Sequence, residues 1–200
     1  MKFLAITLLL LTSIFLIACS ANQANKKISN SELENLAKQY GGIYIFNQKF
    51  VDEIERREKE RSDYMDDFFK NNKRNFKRAD LEIMDQKFPQ TLSNGKPYFL
   101  GGTSSKISQS CYEKIYNFIG HENLKKYEPW IFSNLYYKDK EDNIVQISCT
   151  VVYERVKTQY GLFGDEGRGF SFKKNSFESL GGGNKFILIN NKFIKANKDK

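Results

Sequence analysis

The spacing of apolar residues changes along the chain, and this change constrains the fold more than any other feature. Residues 48–88 contain no glycine or proline and are rich in charged helix formers, which predicts helix up to a stop at Pro89. From Trp130 onward, apolar and polar residues alternate in segments such as WIFSNLYYK and IVQISCTVVYERV, with polar or glycine-rich turns between them. Helices followed by strands predict an α+β domain, with N-terminal helices and then an antiparallel meander of four or five strands.

Shorter signals mark the remaining elements. Ser31 and Glu34 have the spacing of a capping box, which predicts a helix over residues 32–40, and GIYIF predicts a short extended segment after it. A later helix carries Cys111, with Ser108 or Ser110 as its cap and Gly120 at its end. Together these elements predict one α+β domain over residues 31–200.

The second half of the 48–88 region has two contrasting faces. At helical spacing one face gathers apolar side chains: Met65, Phe68, Phe69, Phe76, Ala79 and Ile83. The opposite face gathers five basic ones: Lys70, Lys73, Arg74, Lys77 and Arg78. Such a face is suited to a membrane surface or a protein partner. The alternative is a core-facing helix with a solvated outer side, since Asp66, Asp67 and Asp80 dilute the positive charge. Asn71-Asn72 is a candidate break in this helix.

The segment YGLFGDEGRGF, residues 160–170, predicts a glycine-rich hairpin tip. It runs from strand to strand, so it lacks the helix N-terminus of a phosphate-binding loop. Leu162 and Phe163 lie at this tip with Arg168 beside them, and apolar side chains there either fold back or contact something. The three residues are therefore candidate partner or membrane contacts, together with the basic face.

The N-terminus has the anatomy of an export signal. Lys2 precedes an apolar run over residues 3–17, which is short for a spanning helix, and Ala18 precedes Cys19. The tetrapeptide Leu16-Ile17-Ala18-Cys19 resembles the lipobox of bacterial lipoproteins. This resemblance implies a signal peptide over residues 1–18 and, at Cys19, a diacylglycerol and often a further acyl chain such as palmitate. Residues 20–30 are polar and small with no apolar period, which predicts that residues 19–30 are the lipidated cysteine and a flexible tether. Ser20 is typical of similar lipoproteins of the outer membrane, which implies the periplasm-facing side of that membrane.

An exported protein with two further cysteines favours one disulfide. Cys111 shares a helix face with apolar residues, and Cys149 lies on the apolar side of an alternating strand. The sequence therefore predicts a Cys111–Cys149 bridge, with two buried free thiols as the alternative.

No catalytic motif accompanies these features. His121 is the only histidine and is predicted to lie on the surface, so neither a zinc site nor a histidine-based triad is expected, and no cofactor is predicted. The formal net charge of +8 suits anionic lipids, acidic glycans or an acidic protein, or serves solubility alone. Nucleic acid is not an expected partner for an exported protein.

These observations predict a non-enzymatic envelope lipoprotein that binds another envelope protein or supports an assembly. Two alternatives stay open at this point. One is an immunity or exclusion lipoprotein that blocks a toxin or phage component. The other is an enzyme that acts on the cell wall or on glycan with Asp and Glu side chains.

Overall fold

A computed structural model describes residues 28–102, 105–165 and 169–196. The predicted signal peptide, Cys19 and Arg168 lie outside these residues, as does most of the predicted tether. The described helices are α1 (Asn30–Tyr40), α2 (Gln48–Asn71), α3 (Arg78–Lys87), α4 (Gln109–Ile119) and α5 (His121–Lys126). The described strands are β1 (Gly42–Ile45), β2 (Tyr98–Leu100), β3 (Trp130–Lys138), β4 (Ile144–Asp165), β5 (Gly169–Leu180), β6 (Asn184–Ile189) and β7 (Lys192–Lys195).

The strands form one mostly antiparallel seven-stranded sheet in the order β2-β3-β4-β1-β6-β7, with β5 paired to β4 off this path. The predicted α+β class is therefore confirmed, while the predicted order of helices followed by a meander matches only roughly. The exceptions are β1 and β2, which lie among the helices in sequence. Strand β2 joins the edge of the sheet beside β3, and β1 lies between β4 and β6. Strand β1 pairs antiparallel with β4 and parallel with β6.

Side-chain contacts fix β1 at this central position. Tyr44 and Ile45 are almost completely buried. The Asn184 amide at the start of β6 donates to the carbonyls of Lys38 and Gly41, both at 2.8 Å. These bonds satisfy carbonyls at the end of α1, which the helix leaves without internal partners. The end of α1 is thereby joined to the strand that flanks β1.

The helix predicted over residues 48–88 is interrupted at residues 72–77. The prediction of one continuous helix is therefore wrong, and the break begins directly after Asn71. The side-chain amides of Asn71 and Asn72 donate to the carbonyls of Asp67 and Phe68, each at 2.9 Å. Asparagine competes in this way for backbone groups at a helix end. After the turn, Asp80 accepts from the backbone N–H of Lys77 at 2.9 Å and begins α3. The two halves of the predicted basic face consequently lie on different elements.

Helix α1 also starts earlier than the sequence predicts. Ser29, not Ser31, is its N-cap, and Ser29 forms a capping box with Glu32. Glu34, the predicted partner of Ser31, instead accepts a hydrogen bond from Arg155. For α4 the prediction is confirmed, since Ser108 caps the helix and Gly120 ends it.

Two groups of buried apolar residues hold the helices on the sheet. The larger one joins α1 and α4 to the central strands, through side chains such as Leu36, Ile115 and Tyr44. The smaller one joins α2 to the sheet through Val51 and Ile54. These contacts leave the far end of β4 and most of β5 outside both groups.

Cys111 and Cys149 face each other in the larger group. Both are free thiols in the structure, so the predicted disulfide is not present there. The two side chains are close enough to hydrogen-bond, and burial, followed by this contact, raises the pKa of the Cys149 thiol. The prediction that both side chains point into the core is confirmed by their complete burial.

Candidate functional site

The outer parts of β4 and β5 form a two-stranded ribbon that extends past the rest of the sheet. Strand β4 last pairs with β3 and β1 at Val152 and Val151. Beyond these residues it pairs with β5 alone, from Tyr153 opposite Leu180 to Asp165 opposite Gly169. We call residues 156–164 and 169–177 of this ribbon the arm.

The arm exposes large apolar side chains. The most exposed are Tyr160 at 82%, Phe170 at 78%, Phe172 at 76% and Phe177 at 72%, followed by Leu162 and Val156. A single exposed apolar residue is ordinary, but several on one short ribbon are typical of an interaction surface. The arm is therefore the strongest candidate contact site among the described residues.

Both faces of the arm carry apolar residues. Val156 lies directly opposite Phe177, so these two side chains share a face. Phe170 and Phe172 are an odd number of residues from Phe177, and because strand side chains alternate they lie on the other face. A ribbon that is apolar on both faces cannot bury all of them against its own domain. It is suited to insertion into a groove.

Ion pairs fix the root of the arm, which is the part of the ribbon next to the sheet at Arg155 and Glu178. The Arg155 guanidinium donates to Glu178 in β5, at 2.6 and 3.0 Å, and to Glu34 in α1 at 2.8 Å. Lys157 pairs with the same Glu178 carboxylate at 2.9 Å. Hydrogen bonds from Arg155 and then from Lys157 lower the pKa of Glu178, and the Glu178 and Glu34 carboxylates raise the pKa of Arg155. The root is thus joined to α1, while the outer arm is held by β4–β5 pairing.

The arm is also basic. Its residues include Lys157, Lys173 and Lys174, and neither of its two stretches, 156–164 and 169–177, contains an acidic residue. The Lys174 ammonium lies 5.9 Å from the centre of the Phe163 ring, in a cation–π contact. The arm therefore combines aromatic side chains with positive charge.

Sequence reasoning located part of this site. Of the two predicted apolar residues, Leu162 is exposed near the end of the arm, whereas Phe163 is half-buried. The predicted loop is instead mainly strand, with a register shift between Tyr160 and Phe163 and a positive φ at Gly169. Phe172 and Phe177 were missed. The sequence feature that could have identified them is one strand with phenylalanines at both even and odd positions. A strand of a sheet with one buried face does not show this pattern.

The predicted basic face is divided and partly neutralised. Lys70 lies in the last turn of α2, Lys73, Arg74 and Lys77 in the 72–77 turn, and Arg78 at the start of α3. Three of the five pair with carboxylates: Lys70 with Asp67 at 3.8 Å, Arg78 with Glu82 at 3.4 Å, and Arg74 with Asp80 at 2.6 and 2.7 Å. The five residues therefore do not share one helix face.

The aromatic residues of this region contact each other. The ring centres of Phe68 and Phe76 are 5.0 Å apart, and Phe69 lies 5.7 Å from Phe68. The Arg74 guanidinium covers Phe68 at 4.7 Å. Because these rings and the guanidinium pack against one another, this region is a weaker docking candidate than the arm.

Three clefts of about 360, 420 and 380 Å³ lie elsewhere on the described part of the chain. The only carboxylate among their lining residues is Glu128, so none of the three brings together the carboxylate pair that glycoside hydrolysis uses. His121 is exposed at the first residue of α5. No group of three His, Cys, Asp or Glu side chains within residues 28–102, 105–165 and 169–196 is arranged to hold a metal ion.

No model of a protein family, no curated protein and no solved structure matches this chain significantly. Among the described helices, none combines the length and hydrophobicity that crossing a bilayer requires.

Proposed function

We propose that this chain is a lipid-anchored envelope protein that acts as a non-enzymatic binding or assembly module. Its arm docks to another envelope protein, while lipid on Cys19 holds the chain at the outer membrane on the periplasmic side. The observation that carries this proposal is the arm, with exposed aromatic side chains on both of its faces.

Burial of the arm supplies the driving force for docking. Fully burying one large apolar side chain contributes about 1.5–3 kcal/mol, and the arm offers Tyr160, Phe170, Phe172 and Phe177. Much of this gain offsets the loss of translational freedom on association. Aromatic anchors are also the residues that most often dominate binding at protein interfaces.

The charge of the arm defines the partner's chemistry. An apolar groove with an acidic rim is complementary to the phenylalanines and to Lys173 and Lys174. The outer edge of β5 adds unpaired backbone groups, because within the described residues β5 pairs only with β4. A partner strand can pair with this edge by strand addition.

A photo-crosslinking amino acid at position 172 of the full lipidated chain, in the native envelope, tests the proposal. The matched control places it at Lys140, an exposed position in the turn between β3 and β4. We expect one discrete protein adduct from position 172 and none from position 140. Equal adducts from both positions, or none from the arm, contradict the proposal. If the adduct is a toxin or phage component, the binding module is an immunity or exclusion factor.

A variant pair separates docking from folding. Phe172→Ser removes an exposed arm anchor, and Leu100→Ser removes a side chain that is 60% exposed on strand β2. Both variants are expected to keep the melting temperature because neither side chain lies in the core. With the crosslinker moved to position 170, only Phe172→Ser is expected to weaken the adduct. A large fall in melting temperature for Phe172→Ser means that the arm is packed, not free.

A further inference from the structure

A cleft outside the arm is walled by aromatic side chains. It has a volume of about 420 Å³, within the usual range of roughly 300–1,000 Å³ for small-molecule sites. Its lining comes from α4, from the segment after α5 and from the start of β3: Tyr112, Tyr116, Glu128, Pro129, Trp130 and Ile131. The helix and the first residues of the strand face each other across it.

The aromatic residues form a corner. Tyr112 and Tyr116 lie one helical turn apart on α4, with ring centres separated by 5.9 Å and ring planes at 74°. Trp130 adds a third aromatic ring to the lining and is 57% exposed, although buried Ile131 follows it directly. Two rings at a steep angle with a third nearby surround a roughly spherical group better than a flat one.

The electrostatics of the cleft favour a cation. Aromatic faces carry partial negative charge, and the Glu128 carboxylate accepts a hydrogen bond from the Tyr116 hydroxyl. Burial, followed by this hydrogen bond, raises the pKa of Tyr116, so the phenol stays protonated. Neither lysine nor arginine is among the six described residues that line the cleft, although the chain carries a net charge of +8.

We propose that this cleft binds a quaternary ammonium group. Such a group is nearly spherical and has no N–H donors, so a wall of aromatic faces replaces its water without leaving hydrogen bonds unmade. The Glu128 carboxylate adds charge complementarity at the rim. The ammonium comes either from a free choline-like molecule or from a phosphatidylcholine head group. This site is independent of the arm and of its protein partner.

Trp130 is the only tryptophan in the chain, so its fluorescence reports directly on the cleft. The lipidated full chain, kept in a maltoside detergent, is titrated with choline chloride and, in parallel, with 3,3-dimethylbutanol, its uncharged isostere. Sodium chloride at the same concentrations controls for ionic strength. We expect a saturable fluorescence change with choline alone. An equal response to the neutral isostere, or no saturable response to choline, overturns the proposal.

Two carboxylate variants test the role of charge. Glu128→Gln keeps an acceptor for the Tyr116 hydroxyl but removes the charge, and it is expected to weaken choline binding by about tenfold. Glu122→Gln makes the same change in charge at an exposed position in α5, where the carboxylate pairs with Lys125. It is expected to leave binding unchanged. Equal weakening by both variants means that only the overall charge matters, which overturns the site.

A ring variant tests the aromatic wall. Tyr112→Leu keeps apolar bulk but removes one π face, and an approximately fivefold or greater loss of affinity is expected. Unchanged choline affinity in this variant contradicts an aromatic cage.

Vesicles identify the source of the ammonium. If phosphatidylcholine vesicles displace free choline and phosphatidylglycerol vesicles do not, the ligand is a lipid head group. If neither kind of vesicle displaces choline, the ligand is a free molecule. Both results support the ammonium site, whereas displacement by phosphatidylglycerol alone contradicts it.

Discussion

At the scale of single residues, Asp80 shows how one carboxylate organises a turn. It accepts two hydrogen bonds from Arg74 and one from the Lys77 backbone N–H. These bonds, that of Arg74 first, lower the pKa of Asp80 from an ordinary value of 3.8 to about 2. The sequence indicated only that Asp80 dilutes a basic face. It could not show the ion pair, because the pair depends on the turn that brings residue 74 back to α3.

The lowered pKa predicts an acid-dependent loss of stability. A carboxyl whose pKa is lower in the folded state stabilises the fold fully above its unfolded pKa, and this contribution is lost as the pH falls through the folded value. Protonation of Asp80 should therefore remove stability between about pH 4 and pH 2. Asp80→Asn should reduce the stability at neutral pH and flatten its dependence on pH in that window.

Thermal unfolding between about pH 2 and pH 7 measures this effect. Asp66→Asn is the control, because it makes the same change of charge at an exposed position of α2. If the two variants have the same pH dependence, the Arg74–Asp80 pair does not contribute to stability in solution.

At the scale of elements, the triple glycine between β5 and β6 determines how closely the sheet approaches α1. A Cβ atom at Gly182 would lie 2.1 Å from the carbonyl oxygens of Ala37 and Gly41. A Cβ atom at the adjacent Gly181 would meet nothing within 4 Å. Only one of these neighbouring glycines is therefore required by close backbone approach.

This contrast gives a matched pair of substitutions. Gly182→Ala should lower the free energy of unfolding by roughly 2 kcal/mol or more, because backbone atoms must move to make room. Gly181→Ala should change it by less than about 1 kcal/mol, in either direction. Urea unfolding of the two variants measures the difference. Similar values for both would mean that the turn does not pack against α1 as described.

Elements with strong local signals could be predicted from the sequence. Element boundaries could not be predicted where two neighbouring residues are equally suited to the same position, or where local and tertiary preferences oppose each other. The cap and stop of α4 follow from Ser108 and Gly120, and the β3–β4 hairpin follows from alternation on either side of a polar turn. The predicted start of α1 was wrong because Ser29 and Ser31 are both suited to cap a helix, and Ser29 does so. Asn71-Asn72 was recognised as a candidate break. Whether two asparagines end a helix that the flanking residues favour depends on tertiary contacts, which the sequence does not show.

At the scale of the whole molecule, the sheet order depends on long-range pairing that no local pattern encodes. Gly42 and Asn184 are paired across β1 and β6, far apart in the sequence. Phe172 and Phe177 of the arm were missed for a different reason. Periodicity identifies strands by the face that they bury, whereas β5 exposes phenylalanines on both of its faces.

The lipid anchor and the arm make a joint prediction about the whole chain. If lipid on Cys19 holds the protein at the membrane, Cys19→Ser should abolish incorporation of labelled palmitate and release the chain from washed membranes. A tethered arm meets a membrane partner at a high effective concentration, because both proteins are held on the same membrane surface. Loss of the lipid should therefore also weaken the adduct from position 172, although the arm itself is unchanged.

Palmitate labelling, fractionation and crosslinking of the same Cys19→Ser variant test this prediction, with Ser20→Ala as a control that keeps the cysteine. Washing in about 1 M salt shortens the screening length to about 3 Å and removes purely electrostatic binding of a basic protein. A Cys19→Ser chain that remains on salt-washed membranes would mean that the apolar arm, or an uncleaved signal segment, provides the attachment. Phe172→Ser added to that variant separates these two cases, because it should release only a chain that is held by the arm.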